Sequence, residues 1–287
     1  MKVFVTSVFV CVLISRINCD GNSVDWCYHL PTCDDSTWPD IATDYCAGSR
    51  QSPINIDKSA AAPDSSLSPF NFVNFNSKSS LKSIKNTGKT VKVSFDSGVK
   101  ISGGGLSEEY DSLQFHLHWG NGASTPGSEH TVDGKRYPME LHIVNMKSSY
   151  NGDISLGLAD STGLAALGFF IQGSSAPANQ PRSWRNLASY LSKITKGGDS
   201  VEMRPGISLD DLLEGVDRTK YYRYLGSLTT PSCNEAVVWT VFKEPIEISE
   251  ELIELFSNTL HVSDSSSPFM RNVYRNIQQD QPVTTQP

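Results

Sequence analysis

The amino-acid sequence predicts a single α+β domain in which β-strands dominate and short helices flank a central sheet. Three observations favour this fold class. Short apolar runs recur between turn signals, helical periodicity appears only in brief segments, and no repeat or low-complexity block divides the 287 residues. One sheet-based core is therefore expected.

The apolar runs are bounded by glycine-rich clusters such as Gly103–Gly105 and Asp133–Gly134. Apolar runs with boundaries of this kind are typical of β-strands. We predict strands over Val91–Phe95, Leu113–Trp119, Met139–Val144, Leu164–Ile171 and Val237–Phe242.

Helical spacing is confined to Trp184–Ile194, Leu209–Leu213 and Glu250–Leu255, which predicts short helices beside the sheet. Segments rich in Ala, Ser and Pro, at Ala60–Pro69 and Ser174–Pro181, are predicted surface loops. The length is compatible with two domains of about 150 residues, but β-rich domains often reach about 200–250 residues as one unit. Without an internal repeat, one domain is favoured.

The first 19 residues have the pattern of a secretory signal peptide. A basic start at Lys2 is followed by a short apolar core and a polar exit that ends near Cys19. The apolar core is too short for a bilayer span, which needs about 20 apolar residues. We predict a signal peptide over residues 1–19, a folded domain over 20–280 and a polar tail over 281–287. The chain carries no lipid-anchor or membrane-stop signal, so an anchor is expected only if the chain is truncated.

Removal of residues 1–19 would take away Lys2 and Arg16 and no acidic residue. The remaining chain would carry 22 basic and 31 acidic side chains, a formal charge of −9. This balance argues against a nucleic-acid partner, which requires a basic surface. The simplest interpretation of the charge is that it keeps the protein soluble.

Four cysteines remain after this removal, which is an even number in a chain that is predicted to enter an oxidising compartment. Two disulfides are therefore expected. Four cysteines allow three pairings. Closeness in sequence suggests only Cys27–Cys33, which would leave Cys46–Cys233 as the second pair.

Histidines in two predicted strands suggest a metal site. Alternate side chains of a strand face the same side, so Gln114, His116 and His118 share one face of the first strand. In the second strand, Glu140 and His142 share a face with Val144. If the two strands are antiparallel neighbours, a third imidazole joins the first two.

Three neutral imidazoles around Zn²⁺ leave a fourth position for water, as in catalytic zinc sites. The pKa of that water falls to about 7. Glu140 is placed to accept the other N–H of the His142 ring and to fix its tautomer. A His-x-His pair alone is weak evidence, because surface or hydrogen-bonded core histidines are common. Four of the six histidines, however, lie between His116 and His142.

These residues and several other motifs, in the same order and spacing, resemble the α-class carbonic anhydrases from about Trp26 to Gln278. The extracellular group, secreted or of the membrane-linked type IV, is the most similar. The motifs are Gln51–Ile56, Gly127–His130, Tyr224–Pro231 and Val238–Val241. The resemblance implies a mostly antiparallel twisted sheet of about ten strands, with zinc at the base of a conical cavity. It also implies reversible hydration of carbon dioxide to bicarbonate by attack of zinc-bound hydroxide, and inhibition by sulfonamides and anions.

The resemblance also assigns roles by position. His116, His118 and His142 match the zinc ligands, and Gln114 and Glu140 match the residues that orient them. Thr229 matches the residue that accepts the proton of the zinc-bound hydroxide and donates its own to Glu129. Thr230 is expected to contact bicarbonate or inhibitors, and His130 to be a buried structural residue. The apolar wall that receives carbon dioxide is expected to contain Val144, Ala166, Leu228, Val237 and Trp239. Secreted members carry disulfides like Cys46–Cys233, and the type IV group adds one like Cys27–Cys33.

Lys89 stands where the fast members of the family have a histidine that carries protons out of the cavity. A proton carrier works best with a pKa near the operating pH, whereas lysine ordinarily titrates near about 10.4. Slow, buffer-dependent proton transfer is therefore expected, with His29 as an alternative carrier. Ser232 replaces a proline of the family, so a cis peptide bond is not expected at Pro231–Ser232. At Ser52–Pro53 the proline is present, and a cis peptide bond is expected there. The family's closing motif is matched only loosely at Val273–Asn276.

Two other functions remain open. The same hydroxide could attack esters, which would make the protein a general zinc hydrolase. Alternatively, the protein could be a carbonic anhydrase-like binding protein that has lost its metal ligands. The presence of all three histidines, Glu129 and Thr229 argues against the second. The sequence does not determine the oligomeric state.

Overall fold

The computed structural model describes residues 26–174 and 181–287. The predicted signal peptide at residues 1–19 therefore lies outside the described residues, as does most of the predicted loop Ser174–Pro181. Within the described ranges, no helix is long and apolar enough to span a bilayer.

Strands dominate the described chain and form a sheet of thirteen strands and a separate sheet of three. Their bounds are β1 Asn55–Ile56, β2 Ala62–Pro63, β3 Phe70–Val73, β4 Leu81–Asn86, β5 Val91–Phe95, β6 Lys100–Gly103, β7 Tyr110–Trp119, β8 Thr131–Val132, β9 Lys135–Arg136, β10 Met139–Lys147, β11 Leu164–Ser174, β12 Ser200–Glu202, β13 Tyr221–Gly226, β14 Val237–Phe242, β15 Ile246–Ser249 and β16 Thr284–Thr285.

The large sheet has a continuous path in the order β12-β4-β5-β7-β10-β11-β14-β13-β16-β2, to which β3, β6 and β15 are attached. Most neighbours are antiparallel, but β11 runs parallel to both β14 and β15, and β16 runs parallel to β2. The predicted fold class, a β-dominated domain around one mostly antiparallel sheet, is confirmed. The predicted strands at β5 and β14 match the structure residue for residue, and β7, β10 and β11 extend beyond their predictions.

The helices are short. Their bounds are α1 Trp38–Ile41, α2 Ile154–Ala159, α3 Arg182–Ala188, α4 Leu209–Leu212 and α5 Glu250–Thr259, with 3-10 turns at Ser148–Tyr150 and Leu191–Lys193. The predicted helix Trp184–Ile194 divides into α3 and the second of these turns. The helix α5 begins after Ser249, whose side chain accepts a hydrogen bond from the backbone N–H of Leu252.

The two faces of the sheet are buried by different sets of side chains, because successive strand residues point to opposite sides. One face packs against α3, α4 and α5 through a large core that includes Phe115, Leu141 and Phe169. The other face carries a smaller cluster that includes Tyr224 and Trp239. The predicted histidine ligands lie on this second face, which places the candidate site on the side of the sheet opposite α3, α4 and α5.

The structure contains the disulfides Cys27–Cys33 and Cys46–Cys233. The peptide bond Ser52–Pro53 is cis, as expected. The expectation for Pro231–Ser232 was wrong, because this bond is also cis. The turn is held by the disulfide of Cys233 and by a hydrogen bond from its N–H to the Thr230 carbonyl (2.8 Å), so its geometry does not depend on a second proline ring.

The C-terminal segment 281–287, predicted as a polar tail, contributes a strand to the large sheet. Within it, Thr284 and Thr285 form β16 between β13 and β2. The backbone N–H of Asp64 also donates to the Thr285 carbonyl at 2.7 Å. This segment therefore belongs to the fold, whereas the predicted boundary at residue 280 stays a prediction.

Candidate metal centre

The three histidines lie on β7 and β10, which are antiparallel neighbours, so the condition for a third imidazole to join the first two is met. The register pairs His116 with His142, and His118 with Glu140. The three imidazole rings meet on one face, with ring centres 4.6 to 5.3 Å apart. One nitrogen from each ring lies within 4.8 Å of the other two, so the group could hold a metal ion.

Each ring is oriented through its other nitrogen. His116 Nδ1 lies 3.0 Å from Gln114 Oε1, and His142 Nε2 lies 2.7 Å from Glu140 Oε1. The third ring uses a backbone acceptor, because His118 Nδ1 lies 2.9 Å from the Val273 carbonyl. These contacts leave His116 Nε2, His118 Nε2 and His142 Nδ1 for a shared ligand. Within the described chain, the buried His118 Nε2 has no hydrogen-bond partner.

Burial keeps the imidazoles neutral. It lowers the pKa of His118 to about 4 and that of His116 well below the ordinary histidine value, where His118 and His142 add to the effect. The pKa of His142 is lowered as well, again chiefly by burial and against the opposing effect of Glu140. Neutral imidazole is the form that binds a metal. The site is therefore ready to bind a cation at neutral pH without losing protons.

Glu140 is fully buried and is held as a carboxylate by two histidines. Burial alone would raise its pKa, but His130 and His142 hold it well below the usual range. Its Oε1 atom lies 2.7 Å from His130 Nδ1 and 2.7 Å from His142 Nε2, and its Oε2 atom accepts the backbone N–H of His130. His130 Nε2 lies 2.7 Å from the Tyr224 hydroxyl, which donates to Ser52 Oγ at 2.8 Å.

His130, Glu140 and His142 also lie close enough together to be considered as a second metal site. The hydrogen bonds argue against that role, because the carboxylate oxygen is already shared by two imidazole N–H groups. Glu140 is better placed to orient His142 than to bind an ion itself.

Glu129 is a second buried carboxyl group, and it lies directly beside the histidines. Its Oε1 atom accepts the backbone N–H of Arg275 at 2.8 Å, while Oε2 has no hydrogen-bond partner among the described residues. Oε2 lies 3.4 Å from His118 Nε2 and 3.8 Å from His142 Nδ1. Burial raises the pKa of Glu129 to about 7, and His142 and the Thr229 hydroxyl oppose that rise.

A small, mostly apolar pocket of about 40 Å³ opens beside His116 and His142. All of the residues expected to receive carbon dioxide or bicarbonate line this pocket, namely Val144, Ala166, Leu228, Thr230, Val237 and Trp239. Thr229, Leu164 and Ala165 complete the lining. The Trp239 ring packs against His142 at 4.8 Å between ring centres. Its position is fixed by a hydrogen bond from Nε1 to the Ser227 carbonyl at 3.0 Å.

A larger cavity of about 310 Å³ lies beside the disulfide loop Cys27–Cys33, which forms one of its walls. Lys89 and His29 both line it, as does Val273, whose carbonyl orients His118. The Lys89 ammonium lies over the Trp26 ring, 4.1 Å from its centre. Such a cation–π contact holds the charge against the loop.

Two contributions to the site were not predicted from the sequence. The Val273 carbonyl orients His118, and Arg275 binds Glu129 through its backbone N–H. The Arg275 side chain is buried, and it donates to Gln51 Oε1 and to the Ser52 carbonyl. The contacts with His118 and Glu129 are both made by backbone groups, which leave no signal in residue type.

Comparison with known proteins agrees with this geometry. The sequence profile of the eukaryotic-type carbonic anhydrases matches residues 33–285. Carbonic anhydrase 4 of Oryctolagus cuniculus is 37% identical over 260 residues, which cover 90% of this chain and 82% of that protein. Carbonic anhydrase 12 of Homo sapiens is 36% identical over 263 residues, covering 91% and 71%. Carbonic anhydrase 6 of Bos taurus is 34% identical over 255 residues, covering 88% and 77%. The chain is therefore an enzyme of the eukaryotic-type carbonic anhydrase family.

Proposed function

We propose that this enzyme catalyses the reversible hydration of carbon dioxide to bicarbonate and a proton, with Zn²⁺ held by His116, His118 and His142. One observation carries the proposal. Each of these imidazoles has one nitrogen fixed by an acceptor and the other turned toward a common point. Three neutral nitrogen ligands favour zinc and leave a fourth position open, which is the arrangement of catalytic zinc sites.

When bound, zinc lowers the pKa of a coordinated water to about 7 and so supplies hydroxide at neutral pH. Such a hydroxide would add its oxygen to the carbon of carbon dioxide, with one C–O π electron pair moving onto oxygen, to give bicarbonate. Each cycle also releases one proton, which must leave the site.

Thr229 and Glu129 orient the attacking hydroxide in this proposal. The Thr229 hydroxyl borders the pocket that His116 and His142 line, and it interacts with the Glu129 carboxyl group. When it donates to Glu129, its oxygen is left as an acceptor, which would hold the proton of a hydroxide in the site and turn a lone pair of that hydroxide toward the substrate. A bound cation would favour the carboxylate form of Glu129 that accepts this hydrogen bond.

The pocket beside His142 is the proposed binding site for carbon dioxide. Its apolar wall suits an uncharged substrate, and two of the proposed metal ligands, His116 and His142, line it. Thr230 supplies a polar group at the edge, where bicarbonate or a sulfonamide inhibitor would be held.

Proton release is the proposed slow step. The Lys89 ammonium lies over Trp26 beside the larger cavity, and an ordinary lysine is protonated at neutral pH. It therefore has no free lone pair with which to accept the proton. His29 lines the same cavity and is the alternative carrier.

Stopped-flow measurement of carbon dioxide hydration tests the proposal. We expect zinc-loaded enzyme to be active, a zinc-binding sulfonamide to abolish the activity, and turnover to rise with imidazole buffer. His142→Ala should be inactive, whereas His261→Ala, which changes a histidine outside the site, should retain full activity. Inactive zinc-loaded enzyme would refute the proposal. Faster turnover on a nitrophenyl ester than on carbon dioxide would favour the general hydrolase instead.

An extracellular location is part of the proposal. Two disulfides are typical of proteins that fold in an oxidising compartment. Expression of the full chain in cultured cells should place the protein in the secretory pathway, with a mature N-terminus near residue 20. An uncleaved, cytosolic product with free thiols would contradict this location without affecting the catalytic proposal.

A further inference from the structure

A second pocket lies on the opposite face of the sheet from the metal centre. In β13 and β14, Tyr224 and Trp239 face the histidines, so the adjacent residues Arg223 and Thr240, which pair with each other, face the other way. The face of the sheet that carries Arg223 and Thr240 is covered by the loop before β3 and by the glycine turn after β6. Between these segments lies a cavity of about 210 Å³, whose lining includes Asp64, Ser66, Gly105, Ser107 and Arg223.

Arg223 is buried, with 8% of its surface exposed, and its hydrogen-bond partners are neutral. Nε and Nη2 donate to Thr240 Oγ1 at 3.3 and 2.9 Å, and Nη2 also donates to the Gly104 carbonyl at 2.7 Å. Gly104 has a φ of +58°, a backbone conformation that favours glycine, and this turn brings its carbonyl to the guanidinium. No acidic side chain in the described ranges forms a salt bridge with Arg223.

The remaining nitrogen of Arg223 lies at the pocket wall. Within residues 26–174 and 181–287, Nη1 makes no hydrogen bond. It lies 3.4 Å from the position that a Cβ atom would take at Gly105, which lines the cavity. At that distance a Cβ atom would make ordinary van der Waals contact with the guanidinium, so Gly105 lies directly beside the Nη1 edge of the buried cation.

A buried charge without a carboxylate partner costs free energy unless another anion compensates it. Asp64 is the acidic group that lines this cavity. Its Oδ1 atom accepts from the backbone N–H and the hydroxyl of Ser66 at 2.9 and 2.6 Å, so it is directed toward its own loop. It leaves the Nη1 edge of Arg223 uncovered, and its charge limits the affinity for a second anion.

We propose that this pocket binds a small carboxylate-shaped monoanion, either bicarbonate or a small free carboxylate. The N–H groups of Nη1 would donate to an oxygen of such an anion, while Nε and Nη2 stay bonded to Thr240 and Gly104. The site is separate from the metal centre because the sheet lies between them. It does not depend on the proposed reaction, although bicarbonate is the product of that reaction.

Nitrogen-15 NMR of the Arg223 side chain tests the proposal in zinc-loaded enzyme saturated with a sulfonamide, which occupies the metal centre. Sodium formate and sodium bicarbonate are titrated separately, with sodium chloride keeping the ionic strength constant. We expect a saturable shift of the Arg223 Nε–H signal with at least one of the two anions, at millimolar concentration. No saturable shift with either anion up to 100 mM would overturn the proposal.

Variants of the exposed pocket residue Ser107 provide a matched pair that should not disturb folding. Ser107→Glu places a negative charge beside the cavity and should weaken binding about five- to tenfold, whereas the neutral Ser107→Gln should change it less than twofold. Asp64→Asn, which keeps the acceptor for Ser66, should strengthen binding about threefold or more. Arg223→Gln should abolish it. Equal affinity in the two Ser107 variants would show that the anion does not bind here.

Discussion

Replacing Glu140 with glutamine should weaken zinc binding strongly, because this carboxylate orients the proposed ligand His142 and also accepts a hydrogen bond from the His130 ring. Its Oε1 atom lies 2.7 Å from both His142 Nε2 and His130 Nδ1, and all three side chains are buried. A glutamine has nearly the same size but carries only one acceptor oxygen. Its amide nitrogen is itself a donor. If that nitrogen replaces Oε2, the His130 backbone N–H loses its acceptor; if it replaces Oε1, both imidazole N–H groups lose theirs.

The size of the effect follows from that lost hydrogen bond. A hydrogen bond to a charged group contributes about 1.5–3 kcal/mol, and each 1.4 kcal/mol corresponds to about a tenfold change in affinity. We therefore expect zinc to dissociate about 10- to 100-fold more readily from Glu140→Gln, in the range found when outer contacts of metal ligands are removed. The loss should include a faster release of zinc, because His142 is no longer held in one orientation.

Competition with a chromophoric chelator at pH 7.5 measures this affinity. Glu109→Gln is a suitable control, because Glu109 forms a salt bridge with Lys100 at the surface. The control should bind zinc as the wild type does. If Glu140→Gln binds zinc within twofold of the wild type, the orienting role of this carboxylate is refuted.

Substitutions at three further positions test other parts of the account. Thr229→Ala should lower kcat/KM for carbon dioxide hydration about 100-fold or more, because a group that orients the reacting hydroxide is lost. Stopped-flow kinetics measure kcat/KM, and chelator competition should show little change in zinc affinity. Lys89→His should raise turnover in dilute buffer and reduce its dependence on added imidazole, whereas Lys89→Gln should not. Glu129→Gln should change the pH dependence of stability in the metal-free protein. Burial raises the pKa of Glu129 from 4.5 to about 7. Protonated Glu129 therefore contributes at most about 3 kcal/mol to the free energy of unfolding, and this contribution is complete below pH 4.5 and lost as the pH rises through 7. Urea unfolding of wild type and Glu129→Gln at pH 4.5, 6 and 8 should show this loss in the wild type alone.

The sheet and the histidine cluster could be predicted because both depend on a local pattern. Alternation in Leu113–Trp119 and Met139–Val144 assigns each side chain to a face, and burial of the apolar face excludes a register shifted by one residue. The histidines are therefore expected on one face of the sheet, and the observed register pairs His116 with His142. The structure contains that pairing and the strand boundaries of β5 and β14.

The contacts that complete the site could not be predicted in this way, because they join residues that are distant in sequence. His118 and Val273 are 155 positions apart, and the acceptor is a backbone carbonyl that any residue provides. The contact of Lys89 with Trp26 likewise depends on how the disulfide loop packs. The cis bond before Ser232 reflects the surrounding turn rather than the residue type, so the missing proline was misleading.

Stepwise return of zinc to metal-free enzyme tests the central claim most directly. Carbon dioxide hydration should rise linearly with added zinc, level off at one ion per chain, and stay absent in His142→Ala under the same conditions. Full activity in the metal-free enzyme, or wild-type activity in His142→Ala, would contradict the assignment of the three histidines as the catalytic metal site.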